Sequence, residues 1–98
     1  MQFELTTVFQ NSGTDAVAIG CLAVACQGGG VQFRLLAAGD SSRFTLCVNG
    51  SSVESYDADA AGRISVGVFP NGAPSPLDFR DLCVRNNADA VVLQSEVR

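Results

Sequence analysis

The sequence predicts an all-β fold, a small antiparallel β-sandwich of about eight short strands. Three observations carry this. Apolar and polar residues alternate with period two along most of the chain. Clusters of Gly, Asn, Asp and Ser recur at intervals of roughly ten residues, as turns between short strands do. No capping pattern precedes a run of helical periodicity. The chain has 98 residues, 47% of them hydrophobic, which suits one core. A single domain over residues 1–98 is therefore expected.

The elements follow in order. Phe3, Leu5, Thr7 and Phe9 fall on one face and Glu4, Thr6 and Val8 on the other, giving a half-buried strand. A turn cluster spans Asn11 to Asp15. Residues Ala16 to Cys26 are apolar on both faces, which predicts a central strand, although their Ala content also permits a short helix. Gly28-Gly29-Gly30 breaks the chain before a strand from Val31 to Ala37. After a turn at Gly39 to Ser42, Phe44, Leu46 and Val48 alternate with Arg43, Thr45 and Cys47. Asn49-Gly50 follows, a dipeptide suited to a type I′ hairpin because both positions tolerate positive φ. Val53 to Tyr56 is the returning strand.

A loop from Asp57 to Gly62 leads into Ile64, Val66 and Val68, which alternate with Arg63, Ser65 and Gly67. The segment from Pro70 to Pro76 holds all three prolines and is the longest loop. Leu77 to Arg85 reads as a strand whose apolar spacing slips between Phe79 and Leu82, as a β-bulge would cause. A turn at Asn86 to Asp89 precedes a last strand, Val91 to Val97.

Composition excludes several function classes. The net charge is −4, and the six basic residues are single arginines at 34, 43, 63, 80, 85 and 98. With no basic stripe, nucleic acid is not an expected partner. The chain lacks His and Lys, and with them Ser-His or Cys-His nucleophiles and amine chemistry. The sequence therefore predicts a protein that is not an enzyme. The apolar run of residues 16–26 is too short to span a bilayer, so no membrane association is expected. Its Leu22-to-Cys26 end resembles a lipoprotein cleavage box, but no basic segment precedes it. Synthesis in the cytoplasm without a signal peptide is the expectation, with a virion as a candidate location.

Each candidate site has a plainer reading beside it. Asp57 and Asp59 begin like a calcium loop, with Gly62 and Ile64 in phase, but Ala61 and Val68 stand where oxygen ligands belong. A solvated turn is the better account, and no metal or other cofactor is expected. Asp78 and Asp81 form a second carboxylate pair, with no cleft suggested for a sugar. Gly28 to Gly30 lacks the Lys-Ser/Thr of a phosphate loop. Asn49-Gly50-Ser51 matches a glycosylation sequon inside a tight turn. Cys21, Cys26, Cys47 and Cys83 lack zinc-site spacing and read as small apolar residues with free thiols. There is no Trp to form a sugar platform; Phe69, Asn71 and Tyr56 are the binding candidates. Phe69 breaks phase beside the proline-rich loop, although core packing is the commoner fate of Phe.

Val48-Asn49-Gly50, Ile64-Ser65-Val66-Gly67 and Phe79-Arg80-Asp81-Leu82-Cys83-Val84 together resemble the later half of a concanavalin/laminin-G-like jelly roll, over residues 44–86. The resemblance implies a jelly-roll-like sandwich and a binding or adhesive module, and it carries over no ligand residues. Charged residues are only 16% of the chain, which suits a surface covered by a partner. The function expected is a structural module that assembles with copies of itself or a larger protein scaffold, such as a virion surface or tail component. The alternative is a carbohydrate-binding module with a glycan partner.

Overall fold

The period-two alternation places apolar side chains on the shared side of two sheets. The computed structural model describes residues 2–97. They form β1 (Phe3–Val8), β2 (Gln10–Asn11), β3 (Ile19–Gln27), β4 (Gly30–Ala38), β5 (Arg43–Val48), β6 (Ser51–Asp57), β7 (Arg63–Val66), β8 (Asp81–Arg85) and β9 (Val91–Glu96). One sheet has the order β1-β3-β4-β7 and the other β2-β9-β8-β5-β6, with every pairing antiparallel. The protein is thus an all-β sandwich.

Leu22, Val24, Phe33 and Leu35 fill the inner face of the four-stranded sheet. Phe44, Leu46, Leu82, Val84 and Leu93 face them from the five-stranded sheet. Thr7 and Ser95 join the two layers through their hydroxyls. Gly20 brings the sheets together at one point. A Cβ there would lie 2.7 Å from the Leu36 carbonyl oxygen and 3.0 Å from Leu93 Cδ1 of the opposite sheet.

The Asn49-Gly50 turn joins β5 to β6 with φ of +53° and +86°, the signs a two-residue I′ turn requires. Gly28 and Gly29 join β3 to β4 in the same way.

Four expectations need correction. Residues 16–26 do hold the expected central strand, β3, and no helix, but it starts only at Ile19, and its outward face is partly exposed rather than buried, with Ile19 at 65% exposure. The slip between Phe79 and Leu82 is not a bulge: the strand expected from Leu77 begins only at Asp81, Phe79 and Arg80 lie outside any strand, and Pro76–Asp78 form a 3-10 turn. Proline fits its first turn because no amide is needed there, and Ser75 caps it by accepting from the Leu77 amide. β7 ends at Val66, so Val68 is exposed instead of continuing the alternation. The first strand does not run through Phe9: the chain changes sheets there, Phe9 is buried, and Gln10 pairs with Gln94 of β9.

Candidate functional site

Cross-strand partners share a face, so register alone defines the two outer surfaces. On the five-stranded sheet the central row runs Gln10, Gln94, Cys83, Cys47 and Ser52. This surface is polar. Thr45 and Ser55 share a 2.8 Å hydroxyl hydrogen bond, the Cys47 thiol lies 3.7 Å from the Ser52 hydroxyl, and the positive charge of Arg85 acts on both thiols. The Arg85 guanidinium also reaches the Asp89 carbonyl at 3.2 Å.

Cys47 and Cys83 are directly opposed on β5 and β8 and both are free thiols. Burial, then the hydrogen bond to Cys47, pushes the Cys83 thiol up to about 11, against the smaller opposing influence of Arg85. The folded protein therefore keeps this proton in a range where an unfolded chain releases it. The stability tied to it is complete below the unfolded pKa and is lost as pH rises through the folded one. Native Cys83 should alkylate far more slowly than in urea at pH 8. Its rate should climb toward pH 11, as peptide mass spectrometry of iodoacetamide-treated protein would show. Equal rates in native and unfolded protein at pH 8 would contradict this protection.

The outward face of the four-stranded sheet is different. Its rows are Glu4-Ala25-Gln32, Thr6-Ala23-Arg34, Val8-Cys21-Leu36-Ser65 and Ile19-Ala38-Arg63. Small residues line β3, and larger apolar ones flank them. Val8 is 71% exposed, and Cys21 and Leu36 are half-buried. An open apolar groove runs past Val8, Ile19, Cys21, Leu36 and Ala38 toward Arg63. The face is thus apolar along β3 and bordered by the polar residues Glu4, Thr6, Gln32, Arg34, Ser65 and Arg63.

The sequence-derived candidates do not converge on one place. Phe69 is half-buried: its ring meets Phe33 edge-on at 5.6 Å and stacks on Phe79 at 6.3 Å. It plugs the sandwich under the proline-rich loop. Tyr56 faces inward against the core, and its buried hydroxyl has no hydrogen-bond partner among the described residues. Burial, followed by the charge of Glu54, raises its pKa. Of the three, only Asn71 is exposed.

Asp57 ends β6 opposite Arg43 and lies 3.6 Å from its Nε. Asp59 Oδ1 accepts from the amides of Ala61 and Arg63 at 2.9 and 3.0 Å, while Oδ2 faces Arg63. The hydrogen bond from the Arg63 amide is the main cause of a lowered Asp59 pKa. The two carboxylates thus serve separate local contacts. Among the described residues no group of three or more His, Cys, Asp or Glu could hold a metal ion.

The surface that sequence reading missed is that of Val8, Ile19, Cys21 and Leu36. Its signal was the two-sided apolarity of residues 16–26, which is equally the mark of a strand with one face in the core and one face open. No family model, curated protein or solved structure matches this chain.

Proposed function

We propose that this protein is a non-catalytic structural module that assembles through protein contacts, with copies of itself or on a larger scaffold. A virion surface component is the concrete version. The observation that carries the reading is the open apolar face of the four-stranded sheet. Burying such a face yields roughly 25 cal/mol for each Å² removed from water, so it favours association. The low charge of the chain and the jelly-roll-like motifs of residues 44–86 agree with a binding or assembly role. The aromatic side chains that a sugar platform would need are turned toward the core at Phe69 and Tyr56.

Solution mass measured over a dilution series, together with a glycan array, tests this reading. A concentration-dependent oligomer that is silent on the array is the expected result. A monomer at every concentration that binds glycans would overturn it.

A further inference from the structure

We infer that the partner on the open face is a second copy of this chain, packed face to face about a two-fold axis parallel to β3. The inference rests on the assembly reading and specifies its geometry.

The outward pattern is self-complementary about β3. Cys21, Ala23 and Ala25 form a low central strip, with Glu4, Thr6 and Val8 on one flank and Gln32, Arg34 and Leu36 on the other. A two-fold along the strip exchanges the flanks and keeps the rows. Val8 of each copy then meets Leu36 of the other, and the two strips face each other. Small side chains let the sheets approach closely, as aligned sheet packing requires.

Charge selects this arrangement. Glu4 and Arg34 are the two charged residues pointing outward from β1, β3 and β4 among the described residues. Neither belongs to the three ion pairs found there. They have opposite sign and lie on opposite sides of β3, one row apart, so within one copy a whole strand separates them. The two-fold brings each Glu4 beside Arg34 of the other copy, giving two new pairs and no unmatched charge. A partner of uniform charge would gain at one of these residues and lose at the other.

The size fits a reversible contact. Three strands, β1, β3 and β4, overlap their counterparts, and at about 4.8 Å spacing with about six residues at 3.3 Å they give a flat footprint of about 300 Å². That is below the roughly 800 Å² per partner of a standard interface, so dissociation on dilution is expected.

The test uses the full chain in sedimentation velocity from micromolar to millimolar concentration. Val8→Glu, at a site too exposed to disturb the core, should weaken dimerisation at least tenfold. Glu4→Arg and Arg34→Glu should each weaken it, and the double variant should restore it to within about threefold. A purely structural effect would show no such rescue, because the two residues do not touch within one copy. A short bis-maleimide should join Cys21 to Cys21 between copies, as peptide mapping would show.

A dimer indifferent to Val8→Glu, with no Cys21 cross-link, overturns this geometry and leaves assembly through another face. A trimer overturns the two-fold. A monomer at all concentrations overturns the self-contact; if it also fails to bind a scaffold, the assembly reading falls with it.

Discussion

Phe44→Ala should cost about 3–5 kcal/mol, the range for removing a large aromatic from a packed core. Phe44 has no exposed surface, lies at the start of β5, and is paired across the hairpin with Tyr56. Its ring also closes over Gly39, where a Cβ would sit 3.3 Å from Phe44 Cζ. A domain of this size has total stability of about 5–15 kcal/mol, so the loss is about a fifth of it or more. Urea unfolding followed by circular dichroism should show a lower midpoint with an unchanged slope. Phe44→Leu keeps most of the volume and should lose less than half as much. A loss below about 1 kcal/mol for the alanine variant would mean that the core collapses around the gap.

Asn49→Ala is the second large effect, expected at about 3 kcal/mol. Asn49 combines two roles. Its backbone holds φ at +53°, which costs an alanine about 1–2 kcal/mol. Its side chain also binds the segment that enters β8. Nδ2 donates to the Asp78 carbonyl at 2.9 Å, and Oδ1 accepts from the amides of Arg80 and Asp81 at 2.8 and 3.1 Å. Each such hydrogen bond contributes about 0.5–1.5 kcal/mol net. Asn49→Gly keeps the permissive backbone and loses only the side-chain bonds, so it should be destabilised by about 2 kcal/mol. The gap between the two variants measures the turn, and the remainder measures the clamp. Equal losses in both would show that the positive φ is not at issue.

Asn49 also shows how far the sequence could be read. The hairpin was legible because a local rule, positive φ at two successive positions, fixes it. The clamp onto Asp78 to Asp81 was not, because it joins residues that are distant in the chain through geometry only the folded state supplies. The same divide separates the other elements. Alternation located β1, β4, β5 and β9, since in each the apolar side chains of one face enter the core while the other face carries mostly polar residues. It continued smoothly through Phe9, so nothing local revealed the change of sheet there. Pro76 and Ser75 carried the signal for the 3-10 turn, but the apolar spacing around Phe79 and Leu82 was equally open to a bulge. The outward face of β3 was the main loss. An apolar side chain looks the same in sequence whether neighbouring strands or a second molecule cover it.

The change of sheet at Phe9 also governs when the fold can be completed. It sends β2 across to pair with β9, the last described strand along the chain, which pairs in turn with β8. Val92 and Leu93 of that strand are fully buried. A growing chain that has not yet produced β9 has no neighbour for β2 and an open seam beside β8. Loop closure between such distant segments is slow. The five-stranded sheet should therefore close only after β9 has been made, whereas the strands of the other sheet can pair before it.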